Sequence, residues 1–115
     1  MTRAKVGERV GVLRGMIKGT DKCGVFGFGV RIPNEIPKKG IYFVGVDLHK
    51  RGVEVPTMLL DNGEKVYGCE CWWGRESYIK EVLENHNIVE CSIEDYRKEN
   101  IESMKKYGIE VDDIP

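Results

Sequence analysis

The stretch Leu59-Leu60-Asp61-Asn62-Gly63-Glu64-Lys65-Val66-Tyr67-Gly68-Cys69-Glu70-Cys71-Trp72-Trp73-Gly74 organises the rest of this chain. Apolar runs flank Asp61-Asn62-Gly63, and an Asn-Gly pair tolerates positive φ at both central positions of a tight turn. The stretch therefore predicts a hairpin of 57–60 against 64–73. Side chains alternate along a strand. Val66, Gly68, Glu70 and Trp72 then share one face, and Tyr67, Cys69, Cys71 and Trp73 share the other, core face. On this reading Glu70 stands beside Trp72. A carboxylate next to an indole suits a base or a ribose, because the ring stacks and the acid accepts hydrogen bonds. The plainer alternative is a solvated Glu70 and a Trp72 packed on a cross-strand neighbour.

Upstream, 6–17 and 23–31 read as strands separated by the turn cluster Lys18-Gly19-Thr20-Asp21-Lys22. The run Phe26-Gly27-Phe28-Gly29 places both rings on one side, either as core or as a stacking platform. Pro33 and Pro37 bracket a loop, and the missing proline donor ends the strand. A third strand is expected over 41–48, a turn at Leu48-His49-Lys50-Arg51-Gly52, and a short strand over 53–55. Downstream, Gly74 opens a helix from Arg75 to about Asn85, with Tyr78, Ile79, Val82 and Leu83 as its apolar stripe. Residues 88–91 form a short strand. Ser92 caps a second helix through Tyr107, and Gly108 suits the left-handed position that stops it.

These elements predict a single α+β domain over 1–115. A small, antiparallel, strongly bent β-sheet or partial barrel of about five or six strands (1–73) precedes two C-terminal α-helices (74–108) joined by a short strand. An acidic, partly mobile tail (109–115) follows. Most of the 14 glycines fall in the first 74 residues, which separates a turn-rich layer from a helical one.

Composition narrows the function. A net charge of -1 disfavours a general nucleic-acid binder. The start lacks an apolar leader, and no run approaches the ~18 apolar residues that would cross a bilayer, so a cytoplasmic protein is expected. Without a secretion signal, Cys23, Cys69, Cys71 and Cys91 are expected as reduced thiols, and His49 and His86 lie too far from the Cys69/Cys71 pair for a zinc knuckle. No metal and no cofactor is expected. Neither histidine has an acid and a nucleophile at recognisable spacing, no phosphate-binding loop is present, and no carboxylate pair suggests acid–base work. Binding without turnover is the expectation. The candidate ligand residues are Phe28, Glu70 and Trp72, with cations at Arg31, at the helix start Arg75, and at Arg97 and Lys98 one turn into the second helix, where amides and guanidinium favour phosphate. Taken singly, Arg97 reads as a solvated residue and Lys98 as a partner for Glu94.

The opening Val6-Gly7-Glu8-Arg9-Val10-Gly11, the Phe26-Gly27-Phe28-Gly29-Val30 run and the tryptophan stretch together resemble the phage Thoeris anti-defence sponge family. Those proteins sequester cyclic ADP-ribose isomers made by TIR-domain immune enzymes, and some hold cyclic oligonucleotides. The resemblance covers about half the chain, and 38–55 has no counterpart in it. It implies a β-sheet with two C-terminal helices, a homo-oligomer with pockets at subunit junctions, and capture of a phosphorylated nucleotide signal inside an infected bacterium. The competing reading is a phage or bacterial protein-interaction module that uses the aromatic sheet surface.

Overall fold

A computed structural model describes residues 4–108; the acidic tail expected at 109–115 lies outside the described residues. The elements run β1 (Arg9–Met16), β2 (Lys22–Glu35), β3 (Tyr42–Phe43), β4 (Val46–Asp47), α1 (Leu48–Arg51), β5 (Val55–Leu60), β6 (Lys65–Tyr67), a 3-10 turn (Gly68–Glu70), β7 (Trp72–Arg75), α2 (Glu76–Leu83), β8 (Asn87–Glu90) and α3 (Ile93–Lys106). The fold is α+β. One open sheet has the order β6-β5-β2-β1-β7, with β8 also paired to β2. All its pairs are antiparallel except β2–β8.

The order forces the bend. β6 and β7 are consecutive in the chain yet sit at opposite ends of the strand order. A flat five-strand path would separate them by roughly 19 Å at ~4.8 Å per gap. The link from Tyr67 to Trp72 reaches ~18 Å only if fully extended, and three of its residues form a tight 3-10 turn. The sheet therefore curls, without closing, to bring its two edges within reach of that link.

Alternation along β1 divides the interior. Val10 and Val12 are fully buried against Met58, Val66, Trp73 and Ile93. Leu13 faces the other way, onto Ile79 and Leu83 of α2. Gly11 lets α2 approach, since a Cβ there would lie 2.5 Å from Ile79 Cγ2. Burying an Ile or a Leu in such a contact stabilises by about 1.5–3 kcal/mol.

Several local expectations change. Val12 pairs with Gly27 and Leu13 with Val25, so Phe26 is a bulged extra residue, and Gly27 takes φ 145°. The bulge splits the two phenylalanines that alternation had put together. Phe26 enters the first cluster, 5.6 Å from the Tyr96 ring, while Phe28 packs on the second. The strand passes through Pro33 because a second irregularity, between Ile32 and Glu35, removes the need for its donor.

In the 61–63 turn only Gly63 has positive φ. Gly63 N donates to Leu60 O (2.9 Å) and Leu60 N to Glu64 O (2.8 Å), a three-residue loop rather than the two-residue turn expected. Residues 41–48 are a small hairpin, β3–β4, turning on Val44 (φ 48°) and Gly45 (φ 81°). What read as a turn at 48–52 is α1, capped by the Asp47 side chain on Lys50 N and by a left-handed Gly52. Among the described residues a third helix thus precedes the two expected. α2 begins after Arg75, not Gly74. α3 follows its sequence signals, with Ser92 Oγ accepting from Asp95 N and Gly108 at φ 69°.

Candidate functional site

The predicted strand 64–73 does not run through. It breaks at the 3-10 turn, and the break separates the two residues meant to share a pocket. Glu70 turns inward and Trp72 turns outward. Arg97 of α3 donates from Nε to Glu70 Oε1 (2.6 Å) and from Nη2 to Oε2 (2.9 Å). Both side chains are buried. Glu70 also accepts from Tyr67 N, and Arg97 reaches Lys65 O and Glu94 Oε1. Burial works against the Arg97 charge, yet Glu70 and then Glu94 raise its pKa overall. Glu70 and Arg97 are therefore committed first to each other and not to a pocket shared with Trp72; both line a separate cleft of about 290 Å³ with Tyr42, Tyr96 and Asn100. Burial, with Glu70 nearby, pushes the adjacent Cys69 thiol up to about 11.

Trp72 is 72% exposed. It lies at the mouth of a cleft of about 480 Å³ walled by Leu13, Met16, Trp73, Tyr78, Ile79 and Val82, with Gly15, Cys23 and His86 completing it. A Cβ on Gly15 would lie 3.3 Å from the indole, so the missing side chain gives the ring its seat. Met16 and Tyr78 are also exposed at this rim. His86 Nδ1 lies 2.8 Å from Val82 O. A carbonyl only accepts, so Nδ1 carries a proton and donates to it. The cleft is apolar, with one titratable imidazole at its edge.

The remaining candidate cations do not converge on Trp72. Arg31 donates to Ala4 O (2.9 Å) and Asn34 Oδ1 (2.7 Å), and its guanidinium lies 5.2 Å from the Trp73 ring. It anchors the chain before β1 and braces the core. Arg75 pairs with Glu8 at 3.4 Å; along β7 it alternates with Trp72 and so takes the opposite face. Lys98 is exposed on α3, while Glu94, its expected partner, pairs with Lys38 and Arg97 instead. The phosphate cluster expected from Arg75, Arg97 and Lys98 is not assembled in this chain.

Phe28 lines a second cleft, of about 560 Å³, together with Lys80, Leu83, Glu84, Ile88 and Glu90. Lys80 Nζ sits 5.6 Å over the Phe28 ring. Sequence reading missed the α2 contribution to both clefts. Tyr78 and Val82 were visible only as part of an apolar stripe, and that stripe is wider than one buried face requires. Among the described residues no group of three His, Cys, Asp or Glu is placed to hold a metal ion, and no helix is long and apolar enough to cross a membrane. No protein-family model, curated protein or solved structure matches the chain.

Proposed function

We propose that this protein acts by capture rather than turnover, and that its ligand is a nucleotide signal held through a base stacked on Trp72. The observation that carries the reading is the indole itself, 72% exposed over an apolar cleft of about 480 Å³. That volume lies within the ordinary range for small-molecule sites, about 300–1,000 Å³, and base–aromatic stacking is worth about 1–3 kcal/mol per base. The resemblance to the nucleotide-signal sponges points the same way. With no lysine or arginine among the described residues that line the cleft, binding rests on the base rather than on phosphate. Enclosing the outer side of the base takes a second surface, and a second copy of the chain is the proposed source. On this reading the protein holds its ligand without converting it.

The competing reading, a protein-interaction module, is favoured by one feature. Met16, Trp72 and Tyr78 are all exposed around this cleft, and buried Trp and Tyr anchors dominate many protein interfaces.

Tryptophan fluorescence and thermal shift, read with cyclic ADP-ribose isomers, cyclic di- and trinucleotides and uncharged adenosine, separate the two. The first reading expects saturable quenching that Trp72→Ala abolishes, with stabilisation of about 2.7 kcal/mol at 100-fold excess over the dissociation constant. Silence with every nucleotide, beside a pull-down of one defined protein that Trp72→Ala abolishes, would establish the competing reading instead.

A further inference from the structure

The open edge of β2 contains a notch. β1 occupies one edge of β2 from Cys23 to Val30, so β8 and β5 must share the other. β8 pairs with 22–25 and β5 with 29–35. Asp61 N donates to Phe28 O at the β5 end, and Cys91 N donates to Val25 O at the β8 end. The bulged Phe26 and Gly27 lie between, where neither neighbour reaches. The cleft of about 560 Å³ opens at this gap, with Leu83 and Ile88 as apolar walls and the Phe28 ring as a third. Two carboxylates, Glu84 and Glu90, also line it, and neither has an ion pair or side-chain hydrogen bond among the described residues.

Independently of the Trp72 cleft, we infer that this notch is a docking site for a lysine or arginine side chain on a basic, apolar-flanked segment of a partner protein. Charge complementarity selects the occupant. An aromatic face attracts a cation, two unpaired carboxylates attract it further and repel phosphate or acidic groups, and apolar walls receive its methylene stem. The protein already demonstrates the chemistry, because the Lys80 ammonium rests over Phe28. Lys80 is a weakly held occupant: its side chain is 62% exposed, and its link to Glu76 is long, at 3.4 Å. An incoming cation takes the ring face by displacing it.

The test titrates the intact protein with an end-blocked Leu-Arg-Leu peptide, followed by amide and methyl chemical shifts at Phe28, Leu83 and Ile88. The expected result is saturable shifts there, lost with a Leu-norleucine-Leu control. The double variant Glu84→Gln/Glu90→Gln is expected to bind roughly tenfold more weakly, by loss of both charges. Lys80→Met, at a side chain that is 62% exposed, is expected to bind roughly threefold more tightly, because it removes the internal cation that competes for the ring. Equal shifts with the norleucine peptide, or no gain with Lys80→Met, overturns the proposal. Spermidine binding as tightly and with the same shifts overturns the protein source and makes the notch a polyamine site.

Discussion

Arg97 and Glu70, 27 residues apart in sequence, form a buried two-bond ion pair that ties α3 to the 3-10 turn between β6 and β7. That turn carries the chain from one edge of the sheet to the other, so the pair holds the bend in place. Removing one partner strands the other charge. Glu70→Ala is therefore expected to destabilise by about 3–5 kcal/mol, whereas the double change Glu70→Leu/Arg97→Met costs much less. Urea denaturation of Glu70→Ala, Glu70→Leu, Arg97→Met and the double variant beside the unsubstituted protein checks this, and a double variant additive in its two single changes would exclude the coupling.

The adjacent tryptophans are expected to behave oppositely. Trp73 is 9% exposed and sits in the first core cluster, so Trp73→Ala is expected to cost about 3–5 kcal/mol. Trp72 is 72% exposed, so Trp72→Ala is expected to stay within about 0.5 kcal/mol while abolishing ligand capture. Chemical denaturation measures the first pair of values. A Trp72→Ala protein that unfolds would make the indole a structural group.

Gly29 lies outside the left-handed region of φ, yet it admits no other residue. A Cβ there would sit 2.0 Å from Leu59 O and 2.7 Å from Leu60 Cα, both backbone atoms of β5. Gly29→Ala must push β5 away from β2 and is expected to exceed the usual 1–3 kcal/mol overpacking cost. Gly63→Ala, which meets no atom within 4 Å but has φ 90°, is expected to cost about 1 kcal/mol. Melting temperatures of the two variants give the order, and the reverse order would refute it.

Acid is expected to weaken the fold through three carboxylates. The Arg9 hydrogen bond lowers the pKa of Asp61 and of Glu76. Burial works against the Glu94 charge, but Lys38 and Arg97 outweigh it and lower that pKa as well. A group with a depressed folded pKa contributes stability that is present above its unfolded pKa and lost as pH falls through the folded one. Stability is thus expected to decline below about pH 4. Arg9→Gln is expected to flatten that decline, and an unchanged acid limb in this variant would remove Asp61 and Glu76 from the account.

Cys69 is expected to resist alkylation. With its pKa at about 11 against the ordinary 8.5–9, the thiol holds roughly 100-fold less thiolate at neutral pH. Mass-mapped iodoacetamide labelling at pH 7.5 checks this. Labelling as fast as free cysteine would show the site to be open.

Signals that act within a turn or two were legible in the residues themselves. Ser92 and Gly108 bound α3, Ile79 and Leu83 of the α2 stripe face the sheet, and glycine-rich alternation marks β1 and β2 because caps, helix period and strand period depend on near neighbours. The α+β class follows from those elements in order. The fates of Glu70, Trp72 and Arg97 were set elsewhere. Alternation treats 64–73 as one strand, but the chain must cross to the far edge of a curled sheet, and the turn that does so reverses which way Glu70 points. Its arginine comes from a helix 27 residues on, a distance no local pattern encodes. The β2 notch has the same origin, since it exists only because two strands from separate parts of the chain stop short of each other on one edge.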